Sequence, residues 1–546
     1  MAPRTIDTMN PRRISPALAG LIGFSLLAAA CGVDASIAVE RSDQIITAAD
    51  TTGNADDPVF SESDDGDDSG ATTTVEPADE PADEPFDPPA TVPSDPVVSD
   101  PNAIDFGDAK PVRDRDDYLL AAFTDVEAWL AEEFEPVFGL PFIPLEGEVY
   151  AGYPERTDPI PGCGNGEFTS YDDLTQFAAF YCPIGDFIAY DDGDGGLLDR
   201  LSDEYGPATI GIVLAHEYGH AIQQRIGALA RRLPTIVTEQ QADCIAGAWA
   251  GRAAAGLAPA VPFTETDVRA SLIAMIQVQD PVGSDPTGPG GHGSGFDRVG
   301  AFQVGFDGGL ATCEPLIDDP LPLTPLAFLS QQDLLSGGNA VFGFEDEELF
   351  GFLVPDLNAF FGIDQGVRFP DFEALAAVPT TSASEVDCAS PIGDYDDGVV
   401  VCLDKGIAYL NTPRLGFLYE EFGDFAPGYL LGAAWAEAAL TQVDSTTTGE
   451  DRQLLADCLV GGWVRSATPL LDDFGNLVRD ANGDPVTAEP RTAERGALIS
   501  PNDLTEAIQT AIVIGDPTSS TDVVGSPFEK IDAFRLGTLE GANACS

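Results

Sequence analysis

Two histidines four positions apart, with an acid after the first, are the residues of this sequence best suited to chemistry. The segment Ala215-His216-Glu217-Tyr218-Gly219-His220 holds two of the three histidines in the 546-residue chain. On a helix, positions i and i+4 project from one face, so both imidazoles can bind a single metal ion. Glu217 then lies where a carboxylate can remove a proton from water beside the metal. The spacing predicts a zinc-dependent hydrolase.

Two further acids complete the predicted site. Glu239 lies 19 positions after His220, which leaves room for the chain to turn back, and Asp243 follows one helical turn later. We predict that His216, His220 and Glu239 bind Zn²⁺ and leave the fourth tetrahedral position to water, as in catalytic zinc sites. Asp243 is assigned to the free N–H of His216, where it would fix the tautomer.

The third histidine, His292, lies in the glycine-rich segment Gly290-Gly291-His292-Gly293-Ser294. A flexible loop can reach into a cleft, so His292 is predicted to donate a hydrogen bond to the oxyanion of the transition state. A surface histidine and a fourth, inhibitory zinc ligand are the alternatives. Arg298 is as well suited to pairing with an acid as to holding substrate.

Two predicted helices must position these side chains. The first spans Pro207 to Gly227 and has helical apolar spacing, with both histidines in its middle. After a turn at Arg231-Arg232-Leu233-Pro234, a second helix begins near Thr235 and carries Glu239 and Asp243. The ligands therefore come from two consecutive helices.

The second half of the chain repeats the first. Ala242-Asp243-Cys244 through Trp249 is matched by Ala456-Asp457-Cys458 through Trp463, and Phe296 to Phe302 is matched by Phe528 to Phe534. Four cysteines recur in the same order in each half, which indicates a tandem duplication. In this alignment, non-ligating or non-acidic residues stand opposite His216, Glu217, His220 and Glu239: they are Trp435, Ala436, Ala439 and Gln453. We therefore expect the second copy to fold similarly and bind no zinc, with Asp457 in a structural role.

The chain has nine cysteines, and eight of them fall in the duplicated region. An even number of cysteines in an exported protein suggests disulfides, and the repeat suggests that each bridge closes within one copy. Free buried thiols are the alternative. The predicted pairs are Cys163–Cys182, Cys244–Cys313, Cys388–Cys402 and Cys458–Cys545.

The N-terminal region predicts export. Arg12 and Arg13 precede a short apolar run that ends in small residues before Cys31, as in a bacterial lipoprotein signal at 1–30. Lipidation of Cys31 is predicted, with secretion or an uncleaved anchor as alternatives. About twenty acidic residues and one basic residue follow between Val33 and Asp105, so residues 31–112 are predicted to be a disordered acidic tether. All three alternatives place the folded part outside the cytoplasm, and a net charge of −67 argues against nucleic-acid binding.

Several of these motifs together resemble the neutral zinc metallopeptidase family of bacteria. They are Tyr181-Cys182-Pro183, His216 to His220, Glu239 with Ala242 to Trp249, and His292-Gly293-Ser294 with Arg298-Val299. The resemblance covers roughly Asp114 to Cys313. It implies a gluzincin-type fold of helices packed on a small sheet, with His216, His220 and Glu239 as zinc ligands and Glu217 as the base.

The predicted architecture is α+β: a tandem duplication of a mainly helical zincin-like domain with a small sheet. The active domain is expected at 113–320 and the degenerate one at 321–546. We expect an extracytoplasmic zinc endopeptidase that acts on a protein or peptide substrate and is lipid-anchored to the bacterial cell membrane or secreted. Peptide bonds are favoured over other amides by the resemblance alone. The alternative is a non-catalytic envelope binding or scaffold lipoprotein with a structural zinc site.

Overall fold

The computed structural model of the chain describes residues 99–164, 171–175, 177–288, 290–472, 474–491, 496–515 and 526–546. The predicted signal sequence, Cys31 and the tether up to residue 98 lie outside the described residues. The prediction that the disordered tether extends to residue 112 is wrong for the last part of that range. Ile104 is buried, and the Asp105 N–H donates to the carbonyl of Val149 at 2.7 Å, so the chain joins the first half before residue 113. Phe106 also packs against the core, and Lys110 pairs with the buried Asp192, so several contacts attach this segment.

Apart from the short helices Tyr171–Leu174, Leu310–Cys313 and Gln331–Ser336, both halves consist of the same elements in the same order. In the first half these are α1 (Asp116–Phe138), β1 (Val149–Gly152), α2 (Tyr171–Leu174), β2 (Ala179–Cys182), β3 (Phe187–Asp191), α3 (Leu197–Tyr205), α4 (Ala208–Arg225), α5 (Thr235–Ala254), α6 (Glu265–Gln277), α7 (Gly295–Gly308) and α8 (Leu310–Cys313). In the second half they are α9 (Gln331–Ser336), α10 (Leu349–Ala359), β4 (Ala376–Thr380), β5 (Val399–Cys402), β6 (Ile407–Asn411), α11 (Thr412–Phe422), α12 (Phe425–Gln442), α13 (Gly449–Ala467), α14 (Asp503–Ile514) and α15 (Pro527–Glu540).

Each half contains one small mixed sheet of three strands. In the first, β3 is central, parallel to β1 and antiparallel to β2; in the second, β6 is parallel to β4 and antiparallel to β5. Equivalent cysteines end the antiparallel strands, with Cys182 paired to Phe187 and Cys402 to Ile407. The structure is about 51% helical, and the prediction of an α+β fold with small sheets is confirmed.

Glycine allows the two central helices of each half to cross closely. A Cβ on Gly247 of α5 would lie 1.9 Å from the carbonyl oxygen of Phe302 in α7, and one on Gly461 of α13 would lie 2.1 Å from that of Phe534 in α15. No larger residue fits there without moving the helices apart. The same packing constraint explains why the surrounding Cys-x-x-Gly pattern occurs in both copies.

The two halves pack against each other through their last helices. Phe306 of α7 contacts Phe528 of α15 with ring centroids 4.6 Å apart, and Phe296 meets Phe534 edge to face at 6.1 Å. The Gln303 amide donates to the Phe528 carbonyl at 3.0 Å. The Oγ1 of Thr505 in α14 lies 3.2 Å from the Oε1 of Gln279, just after α6. The interface therefore combines aromatic ring contacts with hydrogen bonds.

All four predicted cysteine pairs lie at disulfide distance, with Cα atoms 5.5 to 5.6 Å apart. The Cys244–Cys313 bridge joins α5 to α8, and Cys458–Cys545 joins α13 to the end of the chain. Each bridge closes within one half. Within the described residues, no helix is both long and apolar enough to cross a bilayer.

Candidate metal centre

The three predicted ligands meet between α4 and α5. The Nε2 atom of His216 lies 3.2 Å from one carboxylate oxygen of Glu239, and the Nε2 atom of His220 lies 3.5 Å from the other. All three side chains are buried, at most 2% exposed. They come together because His216 and His220 share one face of α4 while α5 returns antiparallel beside it through the turn at Pro234.

The spacing of these atoms fits a tetrahedral zinc ion. With zinc–nitrogen and zinc–oxygen bonds of about 2.0 Å, two ligands at the tetrahedral angle are about 3.3 Å apart. Each histidine Nε2 lies near that distance from Glu239, His216 from one carboxylate oxygen and His220 from the other. One ligand atom from each of the three residues lies within 4.8 Å of the other two, so a single ion can reach all of them. Two imidazoles and a carboxylate are also a donor set that zinc prefers. The residues present fit zinc.

Asp243 and Arg298 together fix the orientation of the His216 ring. The Asp243 carboxylate lies 2.7 Å from Nδ1 of His216, so this ring presents its Nε2 lone pair to the centre. Arg298 grips the same carboxylate with two donors, at 2.7 and 3.1 Å. The sequence left two roles open for Arg298, and the structure shows the first of them, pairing with an acid. This buried Asp243–Arg298 pair fixes the position of the ligand.

His220 is held by Gln223, a residue that the sequence reasoning missed. The Gln223 side-chain N–H donates to the carbonyl of Thr238 at 2.6 Å, which leaves its oxygen facing His220 Nδ1 at 3.0 Å. That oxygen can only accept, so Nδ1 carries the proton and Nε2 presents its lone pair to the centre. Gln223 is three positions after His220 on the same helix face, and this spacing was the available signal.

His292 lies on the loop directly before α7, within electrostatic reach of Glu239. Asp280 accepts hydrogen bonds from the backbone N–H groups of His292 and Gly293 at 2.8 and 2.9 Å, and its other oxygen lies 3.1 Å from His292 Nδ1. The His292 Nε2 atom is buried and has no hydrogen-bond partner in the described part of the chain. His292 is therefore oriented and buried, and is not a surface side chain. Asp280 gave no signal in the sequence.

Glu217 has the most unusual surroundings of the predicted residues. Its side chain is fully buried, and neither carboxylate oxygen has a hydrogen-bond partner within the described residues. A buried polar group without a partner costs about 1–3 kcal/mol, and a charged one costs more. A cation, water or substrate beside Glu217 would remove that cost.

The charges at the centre act strongly on one another. Burial lowers the pKa of His216, but the carboxylates of Asp243 and Glu239 outweigh it and raise the pKa to about 10. Burial raises the pKa of Glu239, but His220, His216 and His292 together bring it well below its ordinary value. His292 is thus close enough to Glu239 to act on its charge.

The equivalent region of the second half contains none of these ligands. Trp435 and Ala439, opposite the two histidines, are fully buried, and Trp435 donates to Asn358 at 2.8 Å. Asp457, opposite Asp243, accepts from Tyr429 and from Lys530, each at 2.7 Å. The buried acid–base pair is therefore present in both halves, whereas histidine is present only in the first.

Comparison with known proteins yields relatives of undetermined function. Uncharacterized proteins of Mycobacterium bovis and of two Mycobacterium tuberculosis strains are 32% identical to this chain over 170 residues. The match covers 27% of this chain and 55% of each relative, so the chain spans about half the length of the curated relatives it matches. No family model matches the chain. No solved structure matches it either.

Proposed function

We propose that this protein is an exported zinc-dependent peptidase whose first half is active and whose second half is inert. The observation that carries this proposal is Glu217, a buried carboxylate without a hydrogen-bond partner in the described residues, next to a cluster of ligands with zinc spacing. A structural zinc site needs ligands only. A base with both oxygens left open is what hydrolysis requires in addition.

His216, His220 and Glu239 would hold the zinc. When bound, zinc supplies Lewis acidity and makes water a better nucleophile at neutral pH. Glu217 then takes a proton from the attacking water and returns it to the leaving amine. Because Nδ1 of His292 donates to the Asp280 carboxylate, Nε2 can donate to the oxyanion on the substrate carbonyl only from the imidazolium, and this is the form in which His292 would act. Asp243 and Gln223 keep the two ligand rings in the required tautomer.

The choice of peptide bonds over other amides rests on the resemblance to the neutral zinc metallopeptidases and on the zincin-like arrangement which that resemblance implies. The same chemistry would hydrolyse either kind of bond. Export with a lipid anchor at Cys31 belongs to the same proposal. It is supported by the sequence pattern and by four cysteine pairs at disulfide distance, which are typical of oxidising compartments.

The second candidate function is a non-catalytic envelope scaffold with a structural zinc ion. One observation favours it: each of the three ligands is at most 2% exposed. Structural zinc sites are closed, whereas catalytic sites keep a position open.

A chelator experiment with a mixed peptide library separates the two functions. For the peptidase, zinc-loaded protein cleaves the library, the stripped protein does not, and added zinc restores cleavage. Glu217→Gln should keep its zinc, measured by elemental analysis, and lose turnover. The matched control is Glu133→Gln, which changes an exposed glutamate on α1. A fully zinc-loaded wild type that cleaves nothing would support the scaffold.

A further inference from the structure

The second half contains a different buried cluster at the meeting point of two helix starts. Asp424 directly precedes α12, while Asp503 and Glu506 lie in the first turn of α14. One oxygen from each of these three carboxylates lies within 4.8 Å of the other two. Their side chains are buried, at 8%, 5% and 1% exposure. None of the three residues of this acidic cluster is aligned with a predicted zinc ligand of the first half.

Two oxygens of the acidic cluster have no hydrogen-bond partner in the described residues. They are the Oδ1 atoms of Asp424 and Asp503, both buried. The second oxygen of each carboxylate is held by the backbone: Ala340 N–H donates to Asp424 and Ser500 N–H donates to Asp503, at 2.7 and 2.8 Å. Each side chain is thus oriented by one oxygen, and the other oxygen is left available.

Two of the three carboxylates, those of Asp424 and Asp503, face a cavity of about 430 Å³. Asp424 and Asp503 line it together with Asp333, Ser500 and apolar side chains that include Trp463. The space is large enough for several water molecules beside the carboxylates. A bound ion could therefore complete its coordination with water from the cavity side.

The charge of the cluster is unbalanced. Burial, together with the charge of Asp333, raises the pKa of Asp424 to about 7. Burial and the neighbouring carboxylates of Asp424, Glu506 and Asp333 raise the pKa of Asp503 well above its ordinary value. Carboxylates crowded in a buried site must either take up protons or share a cation.

We propose that Asp424, Asp503 and Glu506 bind a divalent cation, and that the cation is calcium. The ligands are all carboxylate oxygens. Hard cations such as calcium prefer this donor set, whereas zinc sites in proteins do not need one made only of carboxylates. Calcium–oxygen bonds of about 2.4 Å put opposite ligands about 4.8 Å apart, and one oxygen from each of the three carboxylates lies within that distance of the others, so one calcium ion can reach all three. Three protein carboxylates favour calcium over magnesium, because magnesium keeps most of its water and uses one or two. The site is separate from the zinc centre and does not depend on the proposed peptidase activity.

Terbium, which binds at calcium sites and emits when nearby aromatic rings are excited, tests the proposal in the full chain. Trp463 lines the cavity, and the Tyr419 hydroxyl donates at 2.9 Å to the carbonyl of Ala340. We expect sensitised terbium emission that calcium displaces, and a melting temperature that rises with calcium concentration. Asp503→Asn should weaken calcium binding at least about tenfold, because affinity follows ligand charge. The exposed Glu420→Gln is the control and should bind calcium as the wild type does.

The opposite results would overturn the proposal. If the wild type shows neither displaceable emission nor a calcium-dependent melting temperature, the cluster is a set of protonated acids. If Asp424→Asn with Asp503→Asn keeps the emission, terbium binds elsewhere. The double variant loses like charges, so without calcium it should melt at or above the wild-type temperature, and near-UV circular dichroism checks its fold. Zinc content and peptide cleavage are read separately, so failure of the zinc proposal leaves this test intact.

Discussion

Replacing Asp243 with asparagine should weaken zinc binding and also destabilise the fold. Asp243 serves both His216 Nδ1 and Arg298, each at 2.7 Å, and all three side chains are at most 2% exposed. Loss of a partner behind a ligand typically costs 10–100-fold in metal affinity, about 1.4–2.7 kcal/mol. Arg298 would remain buried without its counter-charge, which costs about 3 kcal/mol or more in the free energy of unfolding.

The second half supplies the matched control for Asp243→Asn. Asp457→Asn breaks the equivalent buried pair with Lys530 without touching a zinc ligand. Both variants should lose stability in guanidinium titrations of zinc-free protein. Only Asp243→Asn should lose zinc affinity when the protein competes with a chromophoric chelator. If Asp457→Asn weakens zinc binding equally, or if Asp243→Asn binds as tightly as the wild type, the reasoning is refuted.

Three further results are expected. Gln223→Met removes the acceptor at His220 Nδ1 and should weaken zinc binding about tenfold in the same chelator competition, and unchanged affinity would contradict the tautomer assignment. His292→Ala should reduce kcat about 10²–10³-fold at full zinc content, and Asp280→Asn should reduce it less; a loss of zinc would instead make His292 a ligand. The raised pKa of His216 means that a proton occupies the stripped site at neutral pH, so zinc affinity should rise with pH between 6 and 8, and a flat profile would contradict the prediction.

The parts of the site that follow from helix periodicity are visible in the sequence. His216 and His220 share a helix face because they are four positions apart, and Glu239 reaches them because the next helix returns beside the first. Asp280 is different: it meets His292 only because the loop between α6 and α7 closes on itself, which no short-range pattern encodes. Tertiary contacts of this kind need coordinates.

The overall fold was likewise predictable only in part from the sequence. The repeated cysteines and glycines predict two similar halves, because these residues fix covalent links and close helix contacts. The sequence did not indicate that the chain would join the first half from Ile104 onward, since the surrounding acidic composition suggests a disordered segment. The buried acids Asp424 and Asp503 were also missed, because isolated acids usually lie at a surface.

The contact between Thr505 and Gln279 connects the second half to the loop that carries His292 in the first half. Gln279 directly precedes Asp280, the residue that orients His292, and Thr505 follows Asp503 by two positions. A first half produced by itself would lose this brace and would expose the Phe296 and Phe306 rings to solvent. The smallest stable folding unit is then the whole duplicated pair, and a gene cut between the copies should yield an aggregating fragment.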